Sequence, residues 1–100
     1  MKPYRFHPDA RAEFHQSARY YELQEPGLGH RFMEAVRTAT RSVRDRPALY
    51  REIEPEVRQC RVVSFPYGII FQEVEGQIEI LAVMHLHREP GYWKERRTGS

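Results

Sequence analysis

Two amphipathic stretches separated only by Pro26 and Gly27 place the strongest constraint on the fold of this chain. Apolar residues recur every three or four positions in each stretch, which is the period of an α-helix. Residues 9–24 and 28–46 are therefore predicted to be helical, and Pro47 ends the second helix. The short connection makes the pair an antiparallel helix hairpin. The apolar positions are Ala10, Phe14, Ala18 and Tyr21, then Leu28, Phe32, Val36, Ala39 and Val43.

Strand-type patterns precede and follow this hairpin. Residues 3–7 alternate and predict a short N-terminal strand, and Glu75-Gly76 predicts a tight turn between two apolar strands. The later strands are predicted at residues 50–53, 57–65, 69–74 and 77–86, the first of them weak and edge-like. The fold class is α+β, with an N-terminal strand and the helix hairpin packed on a mainly antiparallel sheet of three or four strands.

Side-chain alternation assigns the last strand two apolar faces. Residues two apart in a strand share a face, so Ile78, Ile80 and Met84 are predicted to point one way. Leu81 and Val83 are predicted to point the other way. A strand that is apolar on both faces is typical of the covered centre of a sheet.

Length and composition bound the class of protein. Its 100 residues suit one domain, predicted at 1–97, with 98–100 as a flexible tail. One cysteine excludes an internal disulfide framework. Because no segment is typical of a secretion signal or a membrane span, we expect a cytoplasmic protein that does not associate with membranes.

The charge distribution says more than the net charge of +2. Residues 51–84 carry three basic and six acidic side chains, whereas residues 85–100 carry four basic and two acidic ones. Of the 16 basic residues, 14 are arginine, which suits bidentate contact with phosphate or carboxylate. A modest net charge with an acidic middle is poorly suited to dense phosphate, such as a ribosome presents.

Arg61 and the two histidines after the last strand are candidate site residues. In the predicted strand 57–65, Arg61 shares a face with Val63 and Phe65, either as a fixed cation for an anion or as a solvated sheet residue. His85 suits a general acid or base or a structural role, because the pKa of histidine lies near neutrality. His85 and His87 lack neighbouring thiolates or carboxylates, so no metal site and no cofactor are predicted.

The segment after residue 86 gathers basic and aromatic side chains, which are typical interface residues. We predict a target-binding set in this segment. Its members are Arg88, Tyr92, Trp93, Lys94, Arg96 and Arg97. The alternative is that Tyr92 and Trp93 cover the core, which is the favoured interpretation of Trp93 because a large aromatic side chain stabilises strongly when buried. Truncation after Leu86 is expected to reduce function more than folding.

Taken together, these segments resemble the RelE/ParE superfamily of toxins from type II toxin–antitoxin systems. The resemblance covers nearly the whole chain. It rests on residues 4–10, 18–22, 28–32, 57–67, 82–85 and 88–93. The segments Phe65-Pro66-Tyr67 and Arg88 to Trp93 are more similar to the ParE branch.

The resemblance implies a toxin that a cognate antitoxin protein neutralises, without a small-molecule cofactor. ParE-like members poison DNA gyrase without hydrolysis, and this is the preferred function. The alternative is a RelE-like, metal-independent endoribonuclease that cleaves mRNA on the ribosome. Its catalytic residues would then be Arg61, His85, Arg88 and Tyr92. With only two lysines, the basic set of a RelE-like nuclease is incomplete. A non-toxic protein-binding module of the same fold is a third alternative.

Overall fold

The computed structural model describes residues 1–97, so the tail predicted at 98–100 lies outside the described residues. Two helices follow a short N-terminal strand, β1 (Tyr4–Phe6). They are α1 (Pro8–Gln24) and α2 (Leu28–Asp45), within one residue of the predicted bounds. A short 3₁₀ helix, Pro47–Leu49, leads into the sheet. Its later strands are β2 (Arg51–Glu54), β3 (Val57–Arg61), β4 (Tyr67–Val74) and β5 (Gln77–His85).

The five strands form one sheet in the order β1-β5-β4-β3-β2. Neighbours pair antiparallel except β1, which lies parallel to β5, with Phe6 opposite Ile80. The α+β class is confirmed, although the sheet has five strands rather than three or four. The predicted tight turn between β4 and β5 is confirmed too, because its two residues, Glu75 and Gly76, adopt positive φ angles of 52° and 78°.

The helix hairpin covers one face of the sheet and forms the larger core. Phe32, Val36 and Val43 of α2 are fully or almost fully buried, and they pack with Ala10, Phe14 and Ala18 of α1. The helices approach closely at Gly29, where an added Cβ would lie 2.4 Å from the carbonyl oxygen of Ala18. Neither helix is long and apolar enough to cross a membrane within the described part of the chain.

A β-bulge in β5 corrects the predicted faces of the last strand. Ile70 pairs with Ala82 and Phe71 with Ile80, so Leu81 is an extra residue on β5. The side-chain alternation shifts at this point. Val83 therefore joins Ile78 and Ile80 on the helix-covered face, while Leu81, Ala82 and Met84 lie on the opposite face.

A second correction concerns the strand predicted at residues 57–65. The strand β3 ends at Arg61, and the chain then turns through Ser64, whose φ is 71°. Phe65 consequently packs against the helix-covered core instead of sharing a face with Arg61. Val63 is left 75% exposed.

Candidate functional site

Residues 86–97, here called the C-terminal segment, cross the face of the sheet opposite the helices. Trp93 is 3% exposed and packs in a second core with Val57, Ile70, Leu81 and Ala82. In the structure, Trp93 is therefore a core residue. As a target-binding residue, Trp93 would have to leave this core first.

Glu13 of α1 binds two side chains of the C-terminal segment, those of Tyr92 and Arg96. Its carboxylate accepts hydrogen bonds from the Tyr92 hydroxyl at 2.8 Å and from the Arg96 guanidinium at 3.1 Å. It also accepts one from the Val83 backbone N–H at 3.0 Å, and Arg96 donates to the Leu81 carbonyl at 2.9 Å. These side chains satisfy backbone groups of β5 beyond the end of β1, where no strand of the described chain continues the pairing.

Glu54 of β2 holds a second part of the segment. Arg97 donates to its carboxylate at 2.8 Å, and the Lys94 ammonium lies 3.4 Å from the same carboxylate. Arg97 also donates to the Pro55 carbonyl at 3.2 Å. Arg96 and Arg97 are therefore paired and mostly buried, whereas Lys94 is paired with Glu54 but remains 61% exposed.

Tyr92 and Arg88 form the outer part of the segment. The Arg88 guanidinium lies 3.9 Å from the centroid of the Tyr92 ring, a cation–π contact. Burial, and then the hydrogen bond to Glu13, raise the pKa of the Tyr92 hydroxyl, so this group remains a protonated donor at neutral pH. Arg88 is exposed, and within residues 1–97 no carboxylate lies at ion-pairing distance from it.

His85 is the last residue of β5. Its ring lies 5.2 Å from the rings of both Tyr67 and His87, and its Nδ1 accepts a hydrogen bond from the His87 backbone N–H at 3.1 Å. These contacts describe a histidine that stabilises the strand end. No group of three or more His, Cys, Asp or Glu residues in the described chain is arranged to hold a metal ion.

The four residues of the nuclease alternative are divided among separate contacts. Arg88 contacts Tyr92, His85 contacts Tyr67 and His87, and Arg61 is exposed at the end of β3. Within the described residues, no hydrogen bond or ring contact joins His85 to Tyr92 or Arg61 to either of them. Arg61 also lies at a strand end, not near the middle of the sheet as the longer predicted strand implied.

An apolar groove beside Arg61 was not predicted from the sequence. It lies between α2 and β3 and has a volume of about 900 Å³. Its lining includes Leu28, Ala35, Tyr50, Val63, Phe65 and Arg61. Within the described part of the chain, the strand β2 pairs with residues Val57 to Gln59 only, so β3 has an unpaired edge at Cys60 and Arg61 next to the groove.

Sequence reasoning missed Glu13 and Glu54, two carboxylates that hold the C-terminal segment. Glu13 occupies the polar side of an amphipathic helix, and Glu54 lies in a short, acidic strand. Neither position differs from a solvated surface carboxylate by periodicity or neighbours. The sequence contained one weak signal, the excess of basic residues after position 86. These residues would need acidic partners if that segment folded back onto the sheet.

Comparison with known proteins identifies the family. The profile described as "ParE toxin of type II toxin-antitoxin system, parDE" matches residues 4–90. A solved structure of the "Chromosomal ParDE TA system from P. aeruginosa" has 16% sequence identity and a TM-score of 0.62, and the match covers 85% of this chain and 96% of that one. At this identity the structural likeness shows the fold alone. No curated protein matches the chain. Since the family profile spans residues 4–90, this chain belongs to the ParE toxin family of type II toxin–antitoxin systems.

Proposed function

We propose that this chain is a growth-inhibiting toxin that binds DNA gyrase through the exposed side of its C-terminal segment, and that a cognate antitoxin neutralises it. The observation that carries the proposal is the match of the ParE family profile to residues 4–90. The proposed contact residues are Arg88, Tyr92 and Lys94, which combine two exposed cations with an aromatic ring.

The separation of the four nuclease candidates supports protein contact over RNA cleavage. General acid–base catalysis needs its groups within hydrogen-bond reach of the same reacting atoms. Here the Tyr92 hydroxyl donates to Glu13, whereas the His85 ring contacts Tyr67 and His87. Ribosome-dependent cleavage of mRNA is therefore the alternative that the induction experiment distinguishes from gyrase binding.

Brief induction of the chain in growing cells tests the target. We expect gyrase-dependent DNA breaks without codon-phased cuts in mRNA, read by plasmid topology and by primer extension. Arg88→Ala should relieve growth arrest, while the matched control Arg51→Ala, an exposed arginine on the edge strand β2, should leave it intact. Phased mRNA cuts that disappear in His85→Ala would overturn the proposal. Expression without growth arrest would favour a non-toxic binding module.

The apolar groove between α2 and β3 is the proposed antitoxin site. It offers apolar surface and an unpaired strand edge, so an extended or amphipathic tail could fill the groove and add a strand to β3. Arg31 and Arg61 lie in its lining, and among residues 1–97 no acidic residue does, which suits a tail that carries acidic side chains.

A matched pair of substitutions tests this site. Val63 and Leu23 are both 75% exposed, but Val63 lines the groove and Leu23 lies on α1 outside it. Val63→Asp should abolish pull-down of the protein encoded by the adjacent open reading frame and its rescue of growth, while toxicity remains. Leu23→Asp should preserve both. Equal loss in the two variants, or equal binding, would contradict the assignment of the groove.

A further inference from the structure

A cleft on the other side of the helix hairpin is lined by arginine. It lies between β1, the first half of α1 and the second half of α2, and has a volume of about 570 Å³. Five arginines line it, together with His15, and its described lining contains no acidic residue. The arginines are Arg5, Arg11, Arg37, Arg41 and Arg44. Cations gathered in one concave surface repel one another and concentrate anions there.

Three of these arginines have no carboxylate partner within the described residues. Arg5 pairs with Glu79 at 3.0 Å and Arg37 pairs with Glu34 at 2.9 Å. Arg44 donates to a neutral group, the Lys2 carbonyl, at 2.8 Å. No ion pair within residues 1–97 includes Arg11 or Arg41. The charges of Arg11, Arg41 and Arg44 are therefore uncompensated at the cleft.

Aromatic rings hold two of these cations in place. The Arg44 guanidinium lies 4.4 Å from the centroid of the Tyr4 ring, and the Arg11 guanidinium lies 5.7 Å from that of Phe6. A guanidinium over a ring keeps the N–H donors at its edge, and its side-chain entropy is already reduced before a ligand arrives. The rings thus pre-organise donors without neutralising them. At the inner wall, Thr40 is 5% exposed and its hydroxyl has no hydrogen-bond partner among the described residues.

We propose that this cleft binds the phosphate groups of a nucleotide or a nucleic-acid strand through Arg11, Arg41 and Arg44. Phosphate presents several acceptor oxygens and up to two charges per group, which matches clustered guanidinium forks. This site is separate from the proposed target-binding and antitoxin-binding surfaces and does not depend on them.

Fluorescence anisotropy with the purified full-length chain tests the site. The probes are a labelled adenosine triphosphate and a labelled single-stranded oligonucleotide at about 50 mM salt, with tripolyphosphate as competitor. We expect tripolyphosphate to displace the bound probe and the affinity to fall as salt rises. Binding of the triphosphate identifies a nucleotide site, whereas binding of the oligonucleotide alone identifies a strand backbone; both results support the proposal.

Charge-matched variants separate a built site from general attraction to a basic chain. Arg11→Gln and Arg41→Gln should each weaken binding about tenfold, because each removes charge-assisted hydrogen bonds. Arg51→Gln makes the same charge change at the opposite edge of the sheet and should alter binding by less than about twofold. All three positions are exposed, and an unchanged Tm confirms that each variant is folded.

Three results would overturn the proposal. The first is the absence of binding by either phosphate probe at low salt. The second is an equal loss in Arg51→Gln and Arg41→Gln, which would indicate net charge alone. The third is binding of a glutamate-rich peptide with no competition by tripolyphosphate, which would indicate recognition of an acidic protein instead.

Discussion

The two faces of the sheet are covered in different ways. On one face, two helices of 17 and 18 residues supply a stripe of buried side chains over several turns. On the other, the described part of the C-terminal segment supplies one buried anchor, Trp93, and is held by ion pairs to Glu13 and Glu54. The first cover is supplied by many side chains along two helices. The second depends on a few residues far apart in sequence, so single substitutions should have large effects.

Loss of the Trp93 side chain should show this dependence most strongly. We expect Trp93→Ala to lower the free energy of unfolding by about 3–5 kcal/mol, because it empties the second core. Urea unfolding measures the effect, with Val63→Ala as an exposed control that should change stability by about 0.5 kcal/mol or less. A loss below about 1 kcal/mol would mean that the segment does not stabilise the second face.

The same burial bears on the expectation that truncation after Leu86 reduces function more than folding. Truncation removes Trp93 together with Arg96 and Arg97, and so uncovers Val57, Ile70 and Leu81. The truncated chain should therefore be less stable than Trp93→Ala. Point substitutions at Arg88 or Lys94 are consequently the sharper tests of target binding.

The Glu13–Arg96 pair should contribute the next largest effect. Its side chains are only 17% and 15% exposed, and Glu13 also accepts the Tyr92 and Val83 donors. We expect Arg96→Gln to lower the free energy of unfolding by about 2–3 kcal/mol, because a largely buried carboxylate loses its charged partner.

A double-mutant cycle isolates this pair from other effects of the substitutions. Glu13→Gln combined with Arg96→Gln should give a coupling energy above about 1 kcal/mol. The control is Glu34–Arg37 on α2, whose side chains are 58% and 51% exposed and whose coupling should be about 0.3–0.5 kcal/mol. Equal coupling in the two cycles would refute the claim that the C-terminal segment depends on this ion pair.

The Tyr92 hydroxyl should make a smaller and pH-dependent contribution. Tyr92→Phe removes its hydrogen bond to Glu13 and should lower the free energy of unfolding by about 1 kcal/mol at neutral pH. The folded-state pKa of Tyr92 is raised, so its contribution is fully present below the unfolded pKa of about 10 and is lost as pH rises through the folded value.

Stability measured from neutral pH to above pH 10 tests the sign. The advantage of the unsubstituted chain over Tyr92→Phe should shrink as the pH rises above about 10, since the unfolded tyrosine ionises first. Tyr20→Phe is a suitable control, because Tyr20 is 57% exposed on α1. An advantage that grows with pH would show that Tyr92 is not a buried donor.

The sequence by itself determined the helix hairpin and most of the sheet. The apolar stripes and the Pro26-Gly27 break predicted both helices to within a residue, because helix periodicity and proline act locally. The Glu75-Gly76 turn was predicted for the same reason. The family was also accessible, since its motifs are spread along the chain in order.

The tertiary structure decided what covers the second face and where the charges meet. The bulge at Leu81 moved Val83 to the helix side, and the alternation of side chains gives no sign of such an insertion. Glu13 meets Arg96 across 83 positions, and the arginine cleft joins β1 to both helices. Such contacts depend on how the elements pack, because a surface charge has no period and acquires a partner only when distant segments fold together.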